Sequence, residues 1–70
     1  MSDSDQSRKD IRRILKTFGI QADEAMVAHL ARNPYVQELR VRIVMEDLTD
    51  YGANEPHGEL EVVIEDTVSR

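Results

Sequence analysis

Two stretches in the second half of the chain alternate apolar and charged side chains with a period of two. The apolar positions are Leu39, Val41, Ile43 and Met45 in residues 38–48, and Leu60, Val62 and Ile64 in residues 59–65. Arginine and glutamate occupy most of the positions between them. Because successive side chains of a strand point to opposite faces, the pattern predicts two strands with one buried face and one charged, wet face.

The first half of the chain has a helical period instead. Its first apolar set is Ile11, Ile14, Leu15 and Phe18. These positions predict an amphipathic helix that starts at a Ser7 N-cap and stops at Gly19, a residue suited to a left-handed helix end. Residues 22–32 are rich in alanine and predict a second helix, which Asn33 and Pro34 terminate.

The segment between the strands predicts a wide connection. Residues 49–57 contain the turn formers Asp50, Gly52, Asn54 and Pro56, too many for a two-residue hairpin turn. The predicted fold is therefore α+β, with two N-terminal helices packed on one face of a C-terminal antiparallel β-hairpin (ααββ). We expect residues 1–6 to form a disordered tail and residues 7–68 to form a single domain.

Length and composition limit what this domain can do. With 70 residues, 40% hydrophobic and 33% charged, the chain predicts one small globular domain of marginal stability. It has no cysteine to form a disulfide or a thiolate metal site. The polar N-terminus lacks the apolar stretch of a signal peptide, and no apolar run is long enough for a membrane span. We therefore expect a cytoplasmic protein without membrane contact, for which self-association is an open option.

Charge disfavours nucleic acid as a partner. The chain has 14 Asp and Glu against 9 Lys and Arg, a formal net charge of −5, whereas phosphate binding requires basic groups. The helix-helix-hairpin order still permits an alternative, a minor winged-helix-like nucleic-acid-binding module. Its binding face would be the basic side of helix one, formed by Arg8, Arg12, Arg13 and Lys16. The acidic start of the second helix, Asp23 and Glu24, argues against it.

No residue pattern predicts chemistry. His29 and His57 are the only histidines, and their spacing matches no metal-binding motif. The hydroxyls have no neighbouring base in a nucleophile elbow, and the three glycines form no phosphate-binding loop. We therefore expect no enzyme activity, no catalytic residue, no cofactor and no metal.

The remaining signals favour a protein-interaction or self-association module. Arg40 and Arg42 on the charged face and Tyr51 in the loop are the candidate interaction residues. The first strand is the expected seam of a homodimer, since its mixed Arg and Glu face can be self-complementary in an antiparallel arrangement. The second strand would instead bring glutamates together. The identity of a protein partner other than the chain itself stays open.

The run from Ile11 to Ile20, IRRILKTFGI, followed by a short helix and two strands with Glu-rich outer faces, resembles a small bacterial family of domains of unknown function. That family shares the pattern R-[K/R]-x-L-K-x-[V/F]-G-[V/I]. The resemblance covers Arg8 to Asp66. It implies a helix, a glycine turn, a second helix and a β-hairpin, and it assigns no functional residue.

Overall fold

A computed structural model describes the backbone of residues 3–70 and the side chains of residues 5–70. It contains helix α1 (Asp3–Arg32), strand β1 (Glu38–Glu46) and strand β2 (Glu61–Ser69). The chain divides into two compact units. The helical unit extends through Val36, and the hairpin unit comprises residues 37–70. Each unit is described by itself.

The predicted pair of helices is wrong, because α1 continues through Gly19 as a single helix of 30 residues. Positive φ angles occur at Gly52 and Gly58, so Gly19 does not adopt the left-handed cap conformation. A glycine inside a helix costs only about 1 kcal/mol, which the surrounding helix formers offset. The apolar stripe also stays in phase across this position: Phe18 and Ala22 are four residues apart and share a face. That phase is the sequence signal for one helix.

The N-terminal boundary also differs from the prediction. The helix begins at Asp3, so Ser7 lies inside it rather than at its cap, and residues 3–6 of the expected tail are helical. Residues 1 and 2, the rest of that tail, lie outside the described residues. Inside the helix, Asp10 accepts a hydrogen bond from Gln6 Nε2 at 3.1 Å and pairs with Arg13 at 3.4 Å. Such i,i+4 and i,i+3 pairs stabilise a helix by a few tenths of a kcal/mol each.

The C-terminus of α1 ends where the sequence predicts, one residue before Asn33. Asn33 has no positive φ, and its side-chain amide donates to the carbonyl of His29 at 2.8 Å. The backbone N–H of Asn33 bonds the carbonyl of Leu30 at 3.2 Å. These bonds satisfy carbonyls that the last helical turn leaves without an intrahelical partner.

The antiparallel hairpin and the matched phase of its strands are confirmed. Ile43 lies opposite Ile64, and Glu38 lies opposite Ser69 at the open end of the hairpin. The second strand starts and ends later than predicted, at Glu61 and Ser69. Asp66 explains the later end: it is a charged residue that interrupts the apolar alternation, although Val68 resumes the alternation on the same face.

None of the described side chains is buried. The α+β class fits the structure, and the single domain over residues 7–68 stays a prediction. Within the described part of the chain, no helix has the length and apolarity required to cross a membrane.

Candidate interaction surface of the hairpin

The pairing of β1 with β2 separates two faces of the hairpin, since directly opposite residues of an antiparallel pair share a face. The apolar face comprises Leu39, Val41, Ile43, Met45, Val62, Ile64, Asp66 and Val68. The outer face comprises Glu38, Arg40, Arg42, Val44, Glu46, Glu61, Val63, Glu65, Thr67 and Ser69. The two faces therefore differ sharply in polarity.

The apolar face is accessible along both strands. Its β1 members Leu39, Val41 and Ile43 are half-buried, whereas Ile64 on β2 remains 50% exposed. Asp66, the single charged member, accepts a hydrogen bond from the backbone N–H of Thr67 at 2.7 Å. A two-stranded hairpin with this much accessible apolar surface is marginal in water on its own.

The outer face carries one good ion pair and one unfavourable pair. Arg42 Nε donates to Glu65 Oε1 at 2.7 Å, and both side chains are more than half exposed. The register places both residues on the outer face, directly opposite each other. Arg40 does not have an acidic residue opposite it, because the register places it against Thr67.

Glu46 lies opposite Glu61 at the loop end of the hairpin. Like charges directly opposite each other destabilise a strand pair. The hairpin thus has an acidic pair at one end of β1. Arg40 lies six residues away on the same face and has no carboxylate opposite it on β2. The charges of β1 are only partly compensated by β2.

A hydrogen bond just outside the strands shows which β1 residues direct their backbone groups to the free edge. The backbone N–H of Arg70 donates to the carbonyl of Gln37 at 3.1 Å, which makes this a hydrogen-bonded pair. Such pairs alternate with non-hydrogen-bonded pairs along an antiparallel ladder. The odd-numbered residues of β1 therefore bond β2. The even-numbered residues direct their N–H and C=O groups to the free edge: Glu38, Arg40, Arg42, Val44 and Glu46.

The same alternation defines the free edge of β2. Its even-numbered residues bond β1, and its odd-numbered residues face outward. Those outward positions are Glu61, Val63, Glu65, Thr67 and Ser69. Val44 and Val63 are direct cross-strand partners, each 48% exposed, and each points its backbone groups to a different edge.

The loop that joins the strands is held by Asp47, which follows β1 directly. Its carboxylate accepts hydrogen bonds from the backbone N–H of Thr49 at 2.9 Å and from the hydroxyl of Tyr51. Hydrogen bonds from Thr49 and Tyr51 lower the pKa of Asp47 below its ordinary value of 3.8. The hydrogen bond to Asp47 raises the pKa of Tyr51 above its ordinary value of 10.0. Each group thus favours the protonation state that it has at neutral pH.

Two glycines provide the backbone conformations that this loop requires. Gly52 and Gly58 have φ angles of 60° and 85°, in the left-handed region that favours glycine. The backbone N–H of Gly52 donates to the Asp50 carboxylate at 2.8 Å, and the N–H of Asn54 donates to the carbonyl of Tyr51 at 3.0 Å. The connection is the wide one that the sequence predicts.

The helical unit presents its own two surfaces. Ile14, Leu15 and Phe18 of the apolar stripe are 60%, 58% and 46% exposed. The predicted alternative nucleic-acid face, Arg8, Arg12, Arg13 and Lys16, is exposed along the same helix. Because α1 is continuous, these residues do not lie next to a helix-turn-helix corner, which a winged helix needs to insert its second helix into a groove.

The candidate interaction residues from the sequence occupy separate places. Arg40 and Arg42 lie on the outer face of β1, and Tyr51 lies in the loop with its hydroxyl on Asp47. Their role stays a prediction. Sequence reasoning did not identify Asp47, although its position two residues before Thr49 is the spacing at which an aspartate bonds a nearby backbone N–H. It also did not identify Val44 and Glu46 as members of the free edge.

His29 and His57 are in α1 and in the loop, respectively. Across the residues that the structure describes, no three His, Asp or Glu side chains are grouped as metal ligands. Comparison of the chain with protein-family models, curated protein sequences and solved structures finds no match. The family resemblance of residues 8–66 therefore stays a prediction.

Proposed function

We propose that this chain is a self-association module that works by pairing the free edge of β1 with a second copy. The observation that carries the proposal is the combination of a two-stranded sheet with no buried side chain among the described residues. A sheet gains independent stability with three or more strands and an apolar face. Two hairpins joined edge to edge would have four strands and one continuous apolar face.

No disulfide can stabilise this chain. It contains no cysteine, so it cannot add the disulfides that many small domains use. The helix leaves its apolar stripe exposed, and most helical stability in proteins comes from packing such a stripe. Association with another copy would supply burial that 70 residues provide poorly by themselves.

The edge of β1 suits a second copy better than the edge of β2. β1 carries both signs of charge on its outer face, Arg40 and Arg42 with Glu38 and Glu46. The charged residues of β2 are Glu61, Glu65 and Asp66, all acidic. Two β2 edges would therefore bring like charges together, which destabilises a strand pair.

Sedimentation equilibrium of the full chain over about a hundredfold concentration range tests the proposal. We expect the average mass to rise from monomer toward dimer, and the thermal midpoint to increase with concentration because association is linked to folding. A strictly monomeric mass at every concentration would contradict the proposal.

Two proline variants identify the edge. Val44→Pro removes an N–H that points to the free edge of β1, and Val63→Pro removes one that points to the free edge of β2. Neither N–H takes part in the β1–β2 ladder, so the hairpin keeps its own hydrogen bonds, and proline is tolerated on edge strands. We expect Val44→Pro to abolish the dimer and Val63→Pro to retain it. Loss of the dimer only in Val63→Pro would assign the seam to β2.

A further inference from the structure

The hydrogen-bonding parity of β1 restricts how two copies can meet. In an antiparallel pair, directly opposite residues must both direct their backbone groups toward the seam or both away from it. Even-numbered residues of β1 therefore oppose even-numbered residues of the second copy. A two-fold axis between the copies then passes through one residue position, which lies opposite its own copy.

Charge separates the possible axis positions. An axis at Arg42 would place Arg42 against its own copy and Glu38 against Glu46 of the second copy. An axis at Val41 would place Arg40 against Arg42. Each of these arrangements puts like charges in direct opposition, which is destabilising.

An axis at Ile43 has the opposite effect. Arg40 of each copy then lies opposite Glu46 of the other, so the pair occurs twice. Arg42 lies opposite Val44 of the second copy and keeps its own ion pair with Glu65. All residues from 40 to 46 pair within the observed strand, and Ile43 meets its copy on the apolar face.

This arrangement also gives an opposite charge to Glu46 and Arg40, which have none directly across the hairpin. Glu46 faces Glu61 within the hairpin, and Arg40 faces Thr67. Across the seam each of them would gain an opposite charge. An axis one residue further along, at Val44, would pair Arg42 with Glu46 of the second copy but would move Arg40 beyond the end of the strand.

We infer that two copies form a closed dimer with a four-stranded antiparallel sheet whose two-fold axis lies at Ile43. The inference rests on the proposed function and adds the partner geometry. The outer strands of the dimer are the two β2 strands, whose charged residues are acidic. Charged edges oppose further strand addition, so assembly stops at the dimer.

Single cysteines report the axis directly, because the natural chain contains none. In this arrangement Ile43 and its copy form a non-hydrogen-bonded pair with Cα atoms about 4.5 Å apart, within the span of a disulfide. Residue 42 and its copy are two positions out of register and more than about 7 Å apart. We expect mild oxidation to cross-link Ile43→Cys rapidly and Arg42→Cys slowly. The reverse order would place the axis at Arg42 and overturn the inference.

Charge reversal tests the same geometry on exposed side chains that do not threaten the fold. We expect Arg40→Glu and Glu46→Arg each to raise the dimer dissociation constant about tenfold, because each creates two like-charge pairs. The double variant restores the opposite charges in exchanged positions and should return to within about threefold of the natural chain. Arg12→Glu, the same charge change on the helix, is the matched control.

The outcomes separate this inference from the proposed function. A natural chain that stays monomeric in sedimentation contradicts both. A dimer that Val44→Pro abolishes, but whose Arg40→Glu and Glu46→Arg effects simply add in the double variant, retains the β1 edge and overturns the Ile43 axis. Masses that increase beyond the dimer overturn the closed arrangement and indicate pairing of β1 with β2 of the next copy.

Discussion

Helix α1 and the hairpin achieve backbone hydrogen bonding over different distances along the chain. The helix bonds residues four apart, so its formation depends on a few neighbouring side chains. The hairpin joins residues such as Arg42 and Glu65, which are 23 positions apart, and it must first close the loop over residues 47–60. The helix therefore tolerates an unfavourable residue such as Gly19. The hairpin instead depends on cross-strand partners and on the loop clamp, which is the set of hydrogen bonds that Asp47 accepts from Thr49 and Tyr51.

The two regions also differ in charge. Residues up to Val36 contain six Lys and Arg and five Asp and Glu, whereas the hairpin unit contains three and nine. An acidic side chain that lies opposite another acidic side chain raises the cost of pairing two strands. In the proposed dimer, the arginines of β1 therefore favour its edge over the acidic edge of β2.

The largest expected effect comes from disrupting helix α1. Gly19→Pro removes a hydrogen bond from the interior of α1 and introduces a steric clash, at a cost of about 3 kcal/mol or more. We expect a large loss of helical signal in far-ultraviolet circular dichroism. Asp5→Pro is the control, since the first-turn N–H groups have no intrahelical acceptor. An equal loss in both variants would contradict the continuous helix.

A smaller change at the same position distinguishes one continuous helix from a helix that ends at Gly19. The two alternatives predict opposite signs for the change in the free energy of unfolding. Gly19→Ala should raise the free energy of unfolding by about 0.5–1 kcal/mol, because a Cβ there meets nothing within 4 Å and Gly19 has no positive φ. Gly52→Ala should lower it, since residue 52 has a φ of 60°. Urea denaturation measures both. Destabilisation by Gly19→Ala would restore the left-handed helix end that the sequence first predicts.

The ion pair on the outer face has a smaller effect on the hairpin. Arg42→Gln should reduce hairpin stability by about 0.2–1 kcal/mol, the range for an exposed pair. Arg40→Gln should have less effect in dilute, monomeric samples, because Arg40 faces Thr67. Hydrogen exchange of the β1 and β2 amides reports the difference. An Arg40→Gln effect as large as that of Arg42→Gln would show that the Glu65 pairing does not support the register.

The smallest expected effect concerns the loop clamp and its pH dependence. The folded-state pKa of Asp47 is lowered, so its contribution to stability is present above its unfolded pKa near 3.8 and is lost as pH falls through the folded value. The pKa of Tyr51 is raised, so its contribution is present below 10.0 and is lost as pH rises above that value. Tyr51→Phe should therefore make the stability of the hairpin depend less on pH at both the acidic and the alkaline end.

Titration of the Asp47 carboxyl by nuclear magnetic resonance measures this directly. In Tyr51→Phe we expect the pKa of Asp47 to increase toward 3.8, with the remaining lowering due to Thr49. Asp50→Asn is the control, because that side chain bonds Gly52 rather than Asp47. An unchanged pKa of Asp47 in Tyr51→Phe would exclude the clamp.

Several elements follow from sequence periodicity alone. The phase of β1 and β2, the wide loop and the end of the helix at Arg32 are all predicted, because apolar alternation and a proline act within a few residues. The continuity of α1 is encoded in the phase of Phe18 and Ala22. The helix stop that Gly19 predicts is wrong, because a glycine inside a helix costs only about 1 kcal/mol.

The tertiary structure alone decides which residues meet. Periodicity does not determine that Glu46 faces Glu61, that Arg40 faces Thr67, or that Tyr51 reaches Asp47. These relations depend on register and loop closure, which involve residues far apart in sequence. The free edge of β1 is likewise visible only once its hydrogen bonds are known. Sequence determined the faces of the hairpin through a local period of two, and the structure decided the edges, because an edge exists only after the strands have paired.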